Sequence, residues 1–328
     1  MDISKLDITG LEQKALELRR LALKLIFEAG SGHPGGSLSA TDLMTALFFG
    51  GILRYNSKNP KDPKRDRFLL SKGHASAIHY SVLAEAGFIS ESDLSDYRQI
   101  NSGKFLSGHG HPKTPGIEIA SGSLGQGLSV AHGIALGTRL LGFDSKIYVI
   151  LGDGEIQEGQ IWEAAMSATK FKSNNLIAII DFNKVAQDNI TKDLKDIEPI
   201  EAKWESFGWD VQRIDGHNMA EIIAISDIIE KKVRESADKL SKWQSKKFCG
   251  EVPYNGGAME PETGHPCPPP PRQSAGRLTV PLALRQQLAS ITSRHQSPAP
   301  WPPIRPVTCF TPSRRGVMQH YHRLRDAP

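Results

Sequence analysis

The run Ile147-Tyr148-Val149-Ile150-Leu151 passes straight into Gly152-Asp153-Gly154, and a second apolar run, Leu176 to Ile180, passes into Asp181-Phe182-Asn183-Lys184. Continuous stretches of branched and aromatic residues, without polar alternation, fit strands covered on both faces, as in a parallel sheet. Gly152 and Gly154 permit a sharp exit from the first strand. The segment between the runs predicts a helix from about Ile156 to Ala168, giving a strand, helix, strand unit of right-handed crossover type. The fold class that follows is α/β: a doubly wound, mostly parallel sheet with helices on both faces. Asp153 and Asn183 then both stand just past the C-terminal ends of parallel strands, where open α/β sheets bind ligands.

The residue types at that edge suit a hard metal ion. Mg²⁺ takes about six oxygens at roughly 2.1 Å and commonly draws some of them from phosphate. The Asp153 carboxylate, the Asn183 amide oxygen and a nearby backbone carbonyl leave positions for a diphosphate and a water. Free N–H groups at the start of the helix after Gly154 would face the same diphosphate. Gly-Asp-Gly by itself is equally what a turn with a helix cap requires. Asn183, separated from Gly154 by 28 residues, adds an oxygen donor that a bare turn does not need.

The 328 residues have ample length for a core, in one large α/β domain or two smaller ones. Residues 1 to 250 hold 31 Lys plus Arg against 32 Asp plus Glu, a balance that gives no reason to invoke nucleic acid. There is no signal-peptide pattern, and no apolar run approaches the roughly 18 residues of a membrane span. A soluble cytoplasmic protein without membrane attachment is the expectation. Cys249, Cys267 and Cys309 lack metal-ligand spacing, and a disulfide framework is not expected.

Gly152-Asp153-Gly154 with Asn183 resembles the thiamine diphosphate signature, and Gly-Asp-Gly-Glu-Ile-Gln-Glu-Gly-Gln-Ile-Trp-Glu-Ala-Ala (152 to 165) resembles transketolase in particular. Ser31-Gly32-His33-Pro34-Gly35-Gly36, Ser71-Lys72-Gly73-His74-Ala75 and Gly122-Ser123-Leu124-Gly125-Gln126-Gly127 are similar to transketolase motifs, in the family's order. The resemblance covers roughly residues 11 to 220. It implies thiamine diphosphate and Mg²⁺, or Ca²⁺ or Mn²⁺, with the metal held by Asp153, Asn183 and the backbone carbonyl of Val185. The cofactor contacts carried over are His74, His111, Gly122, Leu124, Asp153, Gly154 and Asn183. His33 is carried over as a proton-moving residue near the substrate's reacting carbons, with His111 and Glu158 as further catalytic residues. In transketolases the Glu matching Glu158 joins a carboxylate network across the dimer. One departure is Asn189, where the family usually has Gly; Asn tolerates φ > 0, so the turn is expected to survive.

In chain order, Leu11, Ala15, Leu18, Ala22, Leu25, Ile26 and Ala29 repeat at helical spacing, predicting a helix over 11 to 29 that Gly30 ends. It delivers the loop carrying His33. Residues 56 to 67 read as a charged loop before the strand Phe68-Leu69-Leu70. A helix follows over Ala75 to Glu85, and Ser90 with Asp93 can cap the next. His109 and His111 are two apart, as a metal pair can be, yet no third ligand is near, and zinc is discounted. Gly122 to Gly127 opens a helix to about Leu140. Trp209 to Ile214 alternates like a strand, and Asn218 with Glu221 can cap a helix to about Leu240.

The chain then changes character. Residues 251 to 328 contain nine Arg and no Lys, and 15 of the 21 prolines. The division expected is a transketolase-like domain over 1–247 and a Pro/Arg-rich irregular tail over 248–328, with Pro281 to Ser293 as one short helix. The abrupt switch points to a frame change or fusion. The further strand and the substrate-contacting loop that transketolases place here are not found, so loss of the domain's last strand is expected. Also absent is the second domain, whose Glu activates the cofactor in full-length transketolases.

The chain therefore resembles the N-terminal half of a split transketolase. Its implied partner is a C-terminal, pyrimidine-binding subunit in an α2β2 assembly, and its implied substrates are phosphosugars such as xylulose 5-phosphate and ribose 5-phosphate. Two other readings stand beside it. One is another thiamine diphosphate enzyme, of deoxyxylulose phosphate synthase or dihydroxyacetone synthase type; the other is a non-catalytic remnant acting only in binding.

Overall fold

A computed structural model describes residues 5–100, 103–187, 189–248 and 307–310. The chain opens with α1 (Ile8–Glu28), α2 (Pro34–Ser39) and α3 (Thr41–Phe49), then β1 (Arg67–Leu70) and α4 (Ser76–Glu85). Next come α5 (Gly127–Leu140), β2 (Ile147–Gly152), α6 (Gly159–Lys170) and β3 (Leu176–Asp181). A small hairpin of β4 (Val185–Ala186) and β5 (Asn189–Ile190) leads to α7 (Thr191–Leu194) and α8 (Ile200–Ser206). β6 (Asp210–Arg213), α9 (Met219–Phe248) and β7 (Val307–Phe310) complete the described elements. One unit, residues 1–242 and 304–328, carries the sheet; of the other, residues 243–303, only the end of α9 is described.

The sheet runs β1-β2-β3-β7-β6 with every pairing parallel. Alternate residues of the central strands enter two different cores, which is why the runs show no polar alternation. Phe68, Leu70, Tyr148, Ile150, Ile177 and Ile179 pack with α1, α3, α4 and α9. Leu69, Val149, Leu151, Ala178 and Ile180 pack with α5, α6 and α8 on the opposite face. The doubly wound architecture read from the sequence is the one observed.

α1 buries Leu11, Ala15, Leu18, Ala22 and Leu25, the helical repeat of the sequence, and Asp7 caps it by accepting from the Gly10 N–H at 2.8 Å. Ser90 and Asp93 form the expected capping box, although what they cap is a short 3₁₀ turn over Glu91–Asp96. Asn218 Oδ1 accepts from the N–H groups of Ala220 and Glu221, starting α9 as expected.

Three expectations need correction. The helix expected from Ile156 is a 3₁₀ turn, Glu155–Gln157, followed by a break at Glu158 in extended conformation, and α6 starts at Gly159. Glu158 is thus an N-cap residue with no capping hydrogen bond of its own, and the α-helical N–H groups lie one turn away from Gly154. In the hairpin after Asn183, the left-handed residues are Lys184 (φ 64°) and Gln187 (φ 54°), whereas Asn189 is a strand residue paired with Ala186. Finally, the sheet does not end without its last strand: Val307–Phe310, inside the Pro/Arg-rich segment, pairs with β3 on one side and β6 on the other. A four-residue strand flanked by prolines gives little periodic signal, so composition hid it. The helix expected over Pro281 to Ser293, together with Cys249 and Cys267, lies outside the described residues.

Candidate functional site

Three strands deliver three turns to one edge. β1 ends in Ser71-Lys72-Gly73-His74, β2 in Gly152-Asp153-Gly154 and β3 in Asp181-Phe182-Asn183. The register pairs Gly152 with Asp181, so Asp153 and Asn183 both follow within two residues of the sheet's edge. The backbone ties them: the N–H of Lys184, next to Asn183, donates to Asp153 Oδ2 at 2.7 Å. Asp153 is buried and also accepts from the N–H of Gly154 at 2.9 Å and from Thr191 Oγ1 at 2.9 Å. Burial above all, with the charge of Asp181, pushes its carboxyl up to about 6 despite those three donors. Asn183 Oδ1 accepts from the Val185 N–H at 2.9 Å, while its amide nitrogen donates to Ser39 Oγ at 3.2 Å. Val185 is exposed in the hairpin.

Behind this edge lies a buried ionic group that sequence reasoning did not single out. The Lys72 ammonium pairs with Asp181 and lies 3.3 Å from Ser39 Oγ, which itself donates to Asp181 Oδ2 at 2.6 Å. Glu155 is buried as well; burial pushes its carboxyl up, and Ser71, the N–H groups of Gly125 and Gly152, and Lys72 draw it back. Three buried carboxyl groups, Asp153, Glu155 and Asp181, therefore share this region with one buried ammonium, Lys72. The available signal was an acidic residue closing an apolar run, as Asp181 does.

The histidines divide. His33, exposed at the N-cap of α2, and His74 meet edge to face with ring centroids 5.4 Å apart. His109 belongs with them: its field acts on His74, and it is held close to Gly122, where a Cβ would stand 3.1 Å from its ring. Burial first, then Lys72, His33 and His109, press His74 down to about 4, so it stays neutral near pH 7. Burial, His33 and Arg98 also lower His109. His111 stacks on Phe105 with ring centroids 5.0 Å apart, and its Nδ1 accepts from the Lys113 N–H at 3.1 Å. The structure thus gathers His33, His74, Gly122, Asp153, Gly154 and Asn183 around one edge. Leu124 is 38 % exposed on the same loop as Gly122, and Glu158 lies against Gly125 of that loop. His109, a neighbour in sequence of His111, is the histidine that faces the cluster.

The sequence matches the family model described as transketolase, thiamine diphosphate binding domain, over residues 11–241. This chain belongs to that family. It is 43% identical over 215 residues to a 6-deoxy-6-sulfo-D-fructose transketolase subunit of a Clostridium species, an alignment spanning 65% of this chain and 77% of the relative. It is 39% identical over 218 residues to an apulose-4-phosphate transketolase subunit of Phocaeicola vulgatus, spanning 66% of this chain and 76% of the relative. The transketolase structure from Campylobacter jejuni superposes with a TM-score of 0.66 at 37% identity, covering 70% of this chain and 37% of that one. The chain is a transketolase N-terminal, thiamine diphosphate-binding domain, and spans about a third of that solved transketolase.

The edge offers carboxylate, amide and backbone oxygens past the ends of β2 and β3. Three buried carboxyl groups share the region with the buried Lys72 ammonium, and burial first, then the charge of Asp181, raises the Asp153 carboxyl. Among the described residues no group of three or more His, Cys, Asp or Glu side chains converges to hold a metal. A cation at Asp153 would thus complete its shell with amide, backbone and ligand oxygens, the preference of a hard ion. Gly36 leaves the approach to His74 open, since a Cβ there would stand 2.7 Å from His74 Nε2. Among the described residues, no helix is long and apolar enough to cross a membrane.

Proposed function

We propose that this chain is the N-terminal subunit of a split transketolase, which binds thiamine diphosphate with Mg²⁺. With a pyrimidine-binding subunit it transfers a two-carbon ketol unit between phosphosugars such as xylulose 5-phosphate and ribose 5-phosphate. The observation that carries this reading is the buried Asp153 carboxyl, tied by the Lys184 N–H to the Asn183 turn past the ends of two parallel strands. The word "subunit" in the names of two relatives, of which this chain covers 77% and 76%, supports a partner. An α2β2 assembly of two such pairs is the arrangement we propose.

Asp153, Asn183 and the Val185 carbonyl would hold the cation, and the cation would neutralise the diphosphate. Thiamine diphosphate, when bound, supplies a nucleophilic carbon that carries the ketol unit. Around it, neutral His74 would donate a hydrogen bond to the diphosphate without adding charge. His33, exposed at the N-cap of α2, would take up and return protons at the substrate oxygens, and His109 and His111, on one loop, would orient the acceptor sugar. The Gly122–Gly127 loop excludes water from one side of the cofactor. Glu158, exposed at the N-cap of α6 beside that loop, is the residue proposed to meet a second copy.

Isothermal titration of the purified chain with thiamine diphosphate in Mg²⁺ tests the binding half. Ketol transfer from xylulose 5-phosphate to ribose 5-phosphate, with and without a C-terminal transketolase subunit, tests the other half. Binding alone and turnover only with the partner are expected. Absence of binding, or full turnover by the chain alone, overturns the proposal.

A further inference from the structure

The Gly122–Gly127 loop is packed with almost no slack. A Cβ on Gly127 would stand 2.2 Å from Ser71 Oγ, one on Gly125 2.8 Å from Glu158 Cβ, and one on Gly73 2.9 Å from the Gly122 nitrogen. Gly125 has φ of +85°, a conformation that a side chain would strain. Gly125 and Gly127 are buried, so their N–H groups need acceptors within the protein.

Those acceptors trace back to one side chain. Glu155 Oε1 accepts from the N–H of Gly125 at 2.9 Å and from the Ser71 hydroxyl. Ser71 Oγ in turn accepts from the N–H of Gly127 at 3.2 Å. Glu155 Oε2 accepts from the N–H of Gly152 at 3.0 Å, at the end of β2. One carboxylate thus joins the loop, the turn after β1 and the exit of β2. A carboxylate is the side chain suited to this place, because three donors converge on it and it has nothing to donate. An amide there would turn its NH₂ against one of the same N–H groups.

We infer that Glu155 is a positioning residue for the cofactor loop: its buried carboxylate fixes Gly125 directly and Gly127 through Ser71, and so sets where Gly122 and Leu124 stand. It lies behind the loop and touches no reacting atom. The part of this inference that concerns the cofactor rests on the proposed thiamine diphosphate site; the part that concerns the loop does not.

Hydrogen exchange of the full chain without ligand comes first, on wild type, Glu155→Gln and Ser71→Ala. Loop peptides over 122–130 should exchange at least ten-fold faster in Glu155→Gln, with α1 and β3 unchanged. Cofactor titration follows, with Mg²⁺ and thiamine diphosphate, and Glu155→Gln should weaken binding ten- to a hundred-fold. A variant with wild-type loop protection, or one whose exchange rises equally everywhere, overturns the inference. So does wild-type affinity with a loosened loop. If Glu155→Gln does not fold, Ser71→Ala decides, since losing its hydroxyl should free Gly127 and weaken binding; unchanged values for both overturn the inference. If wild type itself binds no cofactor, the proposed function fails while the exchange result still judges the clamp.

Discussion

Replacing Asp153 with Asn separates what the carboxylate does for the fold from what it does for a cation. In the fold its carboxyl rises from the usual 3.8 to about 6, chiefly through burial. At pH 7.5 it is ionised against that preference, so two pKa units at about 1.36 kcal/mol each make its ionisation cost about 3 kcal/mol, which Asn does not carry. Asn introduces an opposite cost. Its NH₂ meets one of the donors from Gly154, Lys184 and Thr191, and a buried unmatched donor costs about 1–3 kcal/mol. The unliganded variant should therefore melt within about 2 kcal/mol of wild type. The ligand response has no such compensation. With Mg²⁺ and thiamine diphosphate at about 100 times the dissociation constant, wild type gains about 2.7 kcal/mol. At about 2–4 °C per kcal/mol, its melting temperature should rise by about 5–10 °C. Asp153→Asn should show almost none of that rise. The sign with pH is also fixed. The folded form binds this proton more tightly than the unfolded chain, so unliganded stability from this group falls as pH rises from about 4 to about 6, and metal affinity weakens below about pH 6. Differential scanning fluorimetry at pH 5.5 and 7.5 measures both. A variant that keeps the full ligand-dependent rise would refute the assignment of Asp153 to the cation.

His79 is buried, with no hydrogen-bond partner for Nε2 among the described residues, and burial lowers it to about 4. The unfolded chain takes up that proton between about pH 6.5 and 4, so the stability it contributes is full above about 6.5 and lost as pH falls. His79→Leu should shrink the stability difference between pH 8 and pH 5 by about 2 kcal/mol in urea unfolding, and an unchanged difference speaks against the burial of the neutral ring. Gly73→Ala puts a Cβ 2.3 Å from Ser121 Oγ and 2.9 Å from the backbone of Gly122, so it should cost about 1–3 kcal/mol and weaken cofactor binding. Wild-type stability and affinity would show that the two turns are not in contact. A chain stopped after Phe248 lacks β7 and leaves β3 and β6 with open edges. It should melt lower and associate at rising concentration by light scattering, and unchanged melting and size would place β7 outside the stable sheet.

Much of the fold was legible because burial on both faces leaves a direct mark. The runs 147–151 and 176–180 are apolar throughout since alternate residues enter two cores. The motif turns were equally legible, because glycines and short polar residues after such runs have few structural uses. What was not legible depends on contacts between distant segments. Lys72 and Asp181 are 109 residues apart and read singly as a solvated lysine and a turn acid; only the fold makes them a buried pair. Glu155 looked like one acid among several in Gly-Asp-Gly-Glu, and its role needs Gly125, 30 residues earlier.

The histidines mark the same boundary. Sequence placed His109 and His111 in one loop, but which ring faces His33 and His74 follows from how that loop turns around Ser121, whose hydroxyl accepts from the Gly110 N–H at 2.8 Å. By itself the sequence determined the doubly wound α/β class, the family likeness and the strand-end turns, because periodicity and glycine placement are local properties. The tertiary structure alone decided the entry of Val307–Phe310 between β3 and β6, the burial of three carboxyl groups beside Lys72 at the edge and the hydrogen bonds that tie Glu155 to the Gly122–Gly127 loop. Each of those is a balance of burial, charge and hydrogen bonding among residues far apart in the chain, and no local pattern records it.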